Sequence, residues 1–381
     1  MQPGRRSAIA QGRSLQREGV YSIPLAHSTP AAYQQHAGQC IVRQISNAII
    51  LYERRDLWLN QGTRPRPGDR RSCPEAKGVA EMRSEAAHRR WRVRSQAIWH
   101  KLRGYWSLLK SLQTALLVMS GLAGYMSAGL ANASIASVLA VVGSLFLAVS
   151  GSTILNMWYD RDIDALMQRT CWRPLPQGTM PPRRALAVGL AFSALGMGWS
   201  FALAPLYGAI VLAGFFFDVV VYTLWLKRRT PLSILWGGMA GGMPVLAGRV
   251  LAVGRIDALG VLLAFSVLFW IPTHILTFNM RHLQDYRAAG VPTLPSRFGL
   301  PATRGVIASS SLLAVLVMAF ALHAVAATMA PLLVGGVVSL GLLGLAAASL
   351  LRPSPRLDFT LFKYASLYML ATMILITVSS P

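Results

Sequence analysis

The sequence predicts an all-α polytopic membrane protein, a bundle of nine transmembrane helices around a central cavity that opens to the cytoplasmic face. Three observations carry that prediction. The 381 residues are 54% hydrophobic and only 13% charged, with a mean hydropathy of +0.45, a balance far from that of soluble domains. From Leu112 onward, apolar stretches of about 20 residues follow one another, each about 30 Å long as a helix and so sufficient to cross a bilayer. The basic residues between these stretches fall almost entirely on alternate loops.

Taken in order, residues 1–104 form a basic extension and residues 105–381 the membrane domain. Residues 1–110 hold 20 Lys/Arg against 7 Asp/Glu, a net +13, and are rich in Arg, Gln, Ser, Pro and Gly without a sustained apolar period, as in disordered tails. The apolar piece from Ile41 to Leu51 is interrupted by Arg43 and Gln44 and is too short to span. Two other readings of the tail stand beside a functional one: a start assigned too far upstream, with Met82 as the true start, and an Arg-rich transit peptide, which its length and seven acids disfavour. A basic segment beside a membrane meets anionic lipid rather than nucleic acid. The three cysteines, Cys40, Cys73 and Cys171, have no metal-site spacing.

The nine spans are expected at 112–131, 134–157, 185–204, 206–226, 231–252, 257–280, 305–327, 331–351 and 361–379. With the N-terminus cytoplasmic, the cytoplasmic loops carry fourteen basic residues: Arg161, Arg169, Arg173, Arg183 and Arg184, then Lys227, Arg228 and Arg229, then Arg281, Arg287, Arg297 and Arg304, then Arg352 and Arg356. The opposite side carries two, Arg249 and Arg255. The positive-inside rule then orients the chain N-in and C-out, in the cell membrane. Two long loops, 157–184 and 281–304, fall on the cytoplasmic side, where long loops are candidates for a functional cap.

The first loop opens with Asn156-Met-Trp-Tyr-Asp160-Arg-Asp162-Ile-Asp164. An Asp at mid-bilayer costs roughly 2.5–3.5 kcal/mol, so three within five residues must face water, cations or a polar cavity. At about 100° per residue, Asn156, Asp160 and Asp164 share a stripe about 80° wide and Asp162 points away. One amide and two carboxylates suit Mg²⁺, which takes oxygen ligands together with substrate phosphates. Arg169 and Arg173 beside them suit a phosphate ester; simple pairing of the carboxylates with Arg161 and Arg169 at the headgroups is the plainer alternative.

A second constellation closes the sixth span: Thr273, His274, Asn279, Arg281, His282, Asp285, Tyr286 and Arg287. On one continuous helix His274, Arg281 and Asp285 would fall within about 40° of one another. A histidine at membrane depth is a functional candidate, or a core histidine bonded to a neighbouring helix. Asp285 gains meaning as the opposite wall of the first site, where Asp160, Asp164 and Asp285 would share two Mg²⁺. Tyr222 with Lys227, Arg228 and Arg229 ends the fourth span, as interface anchors or as diphosphate contacts. Gly237, Gly238, Gly241, Gly242 and Pro244 in the fifth span permit close helix approach.

At these residues the chain resembles the intramembrane aromatic prenyltransferase superfamily, and within it is most similar to the protoheme IX farnesyltransferases, from about Tyr105 to the C-terminus. The resemblance rests on Asn156-x-x-x-Asp160-x-x-x-Asp164 with Arg169-Thr170 and Arg173-Pro174-Leu175. It rests equally on Tyr222-Thr-Leu-Trp-Leu-Lys227-Arg228-Arg229-Thr230-Pro231, and on His274 to Asp285-Tyr286-Arg287-Ala-Ala-Gly290-Val-Pro292. The chain departs from the superfamily in keeping only Asp285 of a second Asp-rich motif, and from the haem enzymes in having Lys110-Ser-Leu where they usually carry Lys-Pro-Arg.

The resemblance implies Mg²⁺-dependent transfer of a farnesyl group from farnesyl diphosphate to haem b within the bilayer. It implies metal ligation by Asn156, Asp160, Asp164 and Asp285, and catalytic roles for Asp160, Asp164, Asp285 and Arg281. Arg169, Arg173, Lys227, Tyr222 and Lys110 would bind diphosphate. His274 and His282 would meet the acceptor, His274 at the iron and Arg281 at a propionate, while Asp162 would support Arg173 or a second metal. A quinone precursor, a chlorin or a glycerol phosphate is the alternative acceptor. A cation-coupled transporter is the reading from another class, though transporters carry their charges near the midplane and these cluster at one face.

Overall fold

The computed structural model describes residues 111–129, 134–326 and 328–380; the expected extension at 1–104 and Lys110 lie outside them. The described residues contain eleven helical elements and no strand: α1 (Ser111–Met126), α2 (Ile135–Tyr159), α3 (Arg161–Leu166), α4 (Pro182–Leu203), α5 (Pro205–Phe215, prolonged by a π-helix over Phe216–Leu226), α6 (Ser233–Val253), α7 (Ala258–Arg281), α8 (Leu283–Ala288), α9 (Leu294–Val325), α10 (Met329–Leu351) and α11 (Pro355–Ser379). Eight of these, α2, α4, α5, α6, α7, α9, α10 and α11, are long and apolar enough to cross a membrane. The expected count of nine is not reached among the described residues, because the first span is described only as the 16-residue α1.

Local chemistry sets the helix ends. The Ser134 hydroxyl accepts from the Ser137 N–H at the start of α2, and the Asp257 carboxylate accepts from the Gly260 N–H at 2.9 Å at the start of α7. Thr293 and Ser296 form a reciprocal capping box on α9; each cap satisfies a donor that the first helical turn leaves unpaired. Pro182 and Pro205 stand in the first turns of α4 and α5, where a missing N–H costs nothing. Gly254, at φ +75°, ends α6 in the left-handed region, and Gly299, at φ +82°, breaks α9 near its start.

The bundle closes on itself. α2 packs along α4, α1 along α6, α6 along α7 and α7 along α9, while α11 returns to α7, α10 and α1. One apolar core gathers Leu263, Ile307, Ala321, Leu342, Leu361 and Ile376; the other gathers Val141, Leu145, Tyr207 and Ala247. The glycines of α6 serve close approach, as expected from the sequence. A Cβ on Gly242 would lie 2.7 Å from the Ala264 carbonyl oxygen of α7, which cannot yield unless the helices part. Gly242→Ala is therefore expected to destabilise the protein by about 1–3 kcal/mol, read as a lower Tm of the detergent-solubilised protein.

The two long loops come together at one end of the bundle. Ile163, Met167 and Val291 bury one another there, with Tyr286 and Ala289 packed against them. At the other end Arg249 pairs with Asp257 at 2.7 Å and donates to Ser127, joining α6 to α1 and to the start of α7. Arg249, one of the two basic residues expected on that side, is thus paired locally.

Candidate functional site

The site grows from the end of α2. Asp160, with φ −85° and ψ 3°, stands between α2 and α3, yet the hydrogen-bond ladder runs on through it. The Asp160 N–H donates to the Asn156 carbonyl at 2.9 Å, and the Asp164 N–H to the Asp160 carbonyl at 2.8 Å. Helical phase is preserved as a result. Asp160 and Asp164 are 4% and 5% exposed, whereas the Asp162 side chain, on the far side, is 60% exposed.

Each carboxylate has a cation. Lys227, just beyond the π-helix of α5, donates to Asp160 Oδ2, and Arg228 approaches Asp160 Oδ1 at 3.7 Å. Arg173 donates to Asp164 Oδ2 at 2.7 Å, and Arg228 holds both oxygens of Asp162 at 2.7 Å. The sequence offered Arg173 as the partner of Asp162; the structure gives Asp162 to Arg228 and Arg173 to Asp164. Arg161 is no partner of these carboxylates either, for it donates to the Trp158 carbonyl and lies over the Trp158 ring.

The electrostatics follow from these contacts. Burial by itself would depress the Lys227 ammonium, but Asp160, with Tyr222 and Tyr286 near, raises it above the ordinary lysine value. Burial works against the Asp162 carboxylate, and the Arg228 hydrogen bond and charge outweigh it, holding the pKa below the usual carboxylate value. Asp160 Oδ1 is buried without a hydrogen-bond partner, with the Arg228 guanidinium 3.7 Å away as its ion-pair neighbour.

The second loop packs against the first. The Gln168 N–H donates to Asp285 Oδ1 at 3.3 Å, and Arg169 donates to the Tyr286 hydroxyl at 3.2 Å while its guanidinium lies over Phe278 and Tyr286. His282 approaches Asp285 at 3.9 Å and packs on Phe278. Burial and the Arg169 charge push the His282 pKa below its ordinary value despite Asp285. Among the described residues no three acidic, histidine or cysteine side chains gather closely enough to hold one ion, so the expected cluster of Asp160, Asp164 and Asp285 does not form.

Of the expected stripe, His274 and Arg281 share the face of α7 turned toward α11, stacking on Phe362 and Phe359, and Asp285 lies beyond a break. α7 ends at Arg281, His282 leaves the helix at φ −108° and ψ 27°, and Asp285 belongs to α8. Arg281 is exposed and stacks on Phe359 of α11 at 4.0 Å, a ring shared with Lys363 at 4.9 Å. His274 lies deeper, stacked on Trp270 at 4.9 Å and on Phe362 at 4.5 Å, with Nδ1 3.2 Å from the Ser366 hydroxyl. Phe278 touches Phe362 in turn. An aromatic ladder thus runs from Arg169 through Phe278 and Phe362 to His274 and Trp270.

Sequence reasoning missed Asp218, a carboxylate inside a membrane span. It accepts from Asn156 Nδ2 at 3.0 Å. The available signal was the span itself: Asp218 is flanked by Phe217 and Val219, and an ionisable residue at that depth is costly. Tyr222 lies beneath the Lys227 ammonium, 5.7 Å from ring centre to nitrogen.

A family model described as the UbiA prenyltransferase family matches residues 117–370. The chain is 42% identical to a protoheme IX farnesyltransferase of Archaeoglobus fulgidus over 223 residues, 58% of this chain and 78% of that protein. It is 45% identical to one of Pyrobaculum neutrophilum over 193 residues, 50% of this chain and 69% of that protein. Among solved structures, a digeranylgeranylglyceryl phosphate synthase superposes with a TM-score of 0.62 at 19% identity, covering 74% of this chain and 98% of its own. A UbiA homologue from Archaeoglobus fulgidus bound to GPP and Mg²⁺ gives 0.56 at 19%, covering 72% and 99%. At such identities the structural likeness speaks for the fold.

Proposed function

The chain belongs to the UbiA prenyltransferase family, and on that premise we propose that it transfers the farnesyl group of farnesyl diphosphate to a vinyl group of haem b, giving haem O. The allylic C–O bond breaks with its electron pair leaving on diphosphate. The farnesyl carbocation forms a C–C bond to the vinyl terminus, and water closes the resulting cation as a hydroxyl, losing a proton. The observation that carries this reading is the pairing of buried Asp160 with Lys227 and of buried Asp164 with Arg173. Names borne by relatives at 42–45% identity point to the donor and acceptor.

Mg²⁺ fits the residues present. The donors are all oxygen, Asp160 Oδ1 is buried without a hydrogen-bond partner, and this ion is commonly held by one or two carboxylates together with substrate phosphates. Asn156, Asp160 and Asp164 would hold it, with Asp285 from the second loop. When bound, it withdraws charge from the leaving diphosphate.

The chain's own cations do the rest. Lys227, Arg173 and Arg169 exchange carboxylate and aromatic partners for diphosphate oxygens, with the arginines forking onto them. Such an exchange creates no bare charge at the membrane boundary. Phe278, whose ring Arg169 covers until diphosphate draws that guanidinium away, would give the carbocation an aromatic face, which attracts cations. His274, steadied at Nδ1 by Ser366, would present its other nitrogen to the haem iron, in the way a second hydrogen bond orients metal-binding imidazoles. Arg281 and His282 would meet the acceptor's carboxylates nearer the surface. The face carrying Asp160 and Asp285 is taken as cytoplasmic, with the N-terminus on that side of the cell membrane.

The test is incubation of the purified protein with haem b, farnesyl diphosphate and Mg²⁺, followed by mass spectrometry. Haem O is the expected product and should vanish with EDTA. Turnover of a quinone precursor or a glycerol phosphate in place of haem b would move the acceptor, and no product with any polyprenyl diphosphate and acceptor would overturn prenyl transfer.

A further inference from the structure

We propose that Asp218 is a positioning residue for this site, fixing the side-chain amide of Asn156 so that its oxygen serves as a cation ligand beside Asp160. The inference rests on the prenyl-transfer reading above and adds to it a residue that lies on another helix, 62 positions from Asn156.

The backbone of α5 makes the arrangement. In an α-helix, residues five apart point about 140° away from one another. From Phe216 to Leu226 the helix widens into π-turns, and the Lys227 N–H donates to the Tyr222 carbonyl, five residues back, at 2.8 Å. The wider turn brings Asp218 and Thr223 onto one face, where the Thr223 hydroxyl reaches the Asp218 carbonyl at 2.8 Å. π-turns are rare and cluster at functional sites. Here the widened turn presents Asp218 and Thr223 together to α2.

Between them the two residues define the Asn156 amide. Its Nδ2 donates to Asp218 Oδ2 at 3.0 Å, and its Oδ1 lies 2.8 Å from the Thr223 hydroxyl, whose one proton is shared between this oxygen and the Asp218 carbonyl. A carboxylate only accepts, so the nitrogen must face Asp218 and the oxygen must face the other way. A flipped amide would set two oxygens against each other in a partly buried site. The oxygen retains a second lone pair, one helical turn from Asp160, whose buried Oδ1 makes no hydrogen bond. Asp218 acts on the site through Asn156, in the manner of the outer partners that orient metal ligands and tune affinity by about 10–100-fold.

The experiment compares the full-length protein with Asp218→Ala, Asp218→Asn, Asn156→Ala and the double variant Asn156→Ala/Asp218→Ala. Mn²⁺ is the spectroscopic probe, followed by electron paramagnetic resonance in the presence of farnesyl diphosphate, alongside Tm and the Mg²⁺ dependence of turnover. Asp218→Ala is expected to weaken Mn²⁺ binding and raise the Mg²⁺ requirement by about 10–100-fold. Asp218→Asn, whose amide oxygen still accepts from Asn156, should restore both to within a few-fold. In the Asn156→Ala background, loss of Asp218 should change Mn²⁺ affinity no further, because coupled residues are not additive.

Wild-type Mn²⁺ affinity in a folded Asp218→Ala protein, or a full additional loss in the double variant, would overturn the proposal. So would a drop in Tm with unchanged Mn²⁺ affinity, which marks a structural role alone. Failure of the underlying reading looks different, since the wild-type protein itself would then neither bind Mn²⁺ with farnesyl diphosphate nor transfer a prenyl group.

Discussion

Asp160→Ala is expected to lower prenyl transfer by about 10²–10³-fold, the range for removing one preorganised group that stabilises transition-state charge. Asp160 is 4% exposed, is paired with Lys227 and has one oxygen without a hydrogen-bond partner, so it answers to a cation on each side. Removing it strips the site of a proposed metal ligand and leaves the Lys227 ammonium buried without its nearest counter-charge. Asp160→Asn keeps the volume and removes the charge, separating the electrostatic loss from packing. Asp162→Ala is the internal control: its carboxylate is 60% exposed and holds only Arg228, an exposed pair of the kind worth about 0–1 kcal/mol. The measurement is kcat and KM for farnesyl diphosphate at several Mg²⁺ concentrations, with Tm alongside. Equal losses in the Asp160 and Asp162 variants would argue against a distinct role for Asp160.

The asymmetry between these two aspartates was legible in the sequence for a physical reason. The hydrogen bonds from Asp160 and Asp164 back to Asn156 and Asp160 keep helical phase through the α2–α3 break, so counting 100° per residue remained valid across it. Beyond His274 the same count holds to Arg281, seven residues on and still in α7, and Asp285 then falls on a separate helix because α7 ends before His282. Nothing in residue spacing announces such an exit. The partners Lys227 and Asp160 are 67 residues apart, and their meeting depends on which helices are neighbours, which hydropathy does not encode. Asp218 was overlooked because charges were tallied between spans. The π-turns that aim it at Asn156 have no counterpart in a 3.6-residue pattern. The bundle was more legible than the site, since each span declares itself by length and composition.

The second large effect concerns stability and lies at the junction of α9, α10 and α11. Arg304 donates to Asp358 Oδ2 at 2.8 Å, and the Ser349 hydroxyl donates to Oδ1 at 2.6 Å; the two charged side chains are only 11% and 10% exposed. Asp358→Ala leaves a buried guanidinium unpaired, and Arg304→Ala leaves a buried carboxylate, each expected to cost about 3–5 kcal/mol. Replacing both by leucine removes the desolvation cost together with the attraction, so the double variant should recover most of that loss. The check is Tm of the four proteins in one detergent. Activity should follow stability here, because α11 carries Phe362 and Ser366 against His274: Asp358→Ala is expected to raise KM for haem b more than KM for farnesyl diphosphate. Equal stability of the single alanine variants and the double leucine variant would mean that the pair is not coupled, and α11 would then owe its place to its apolar face against α7 and α10.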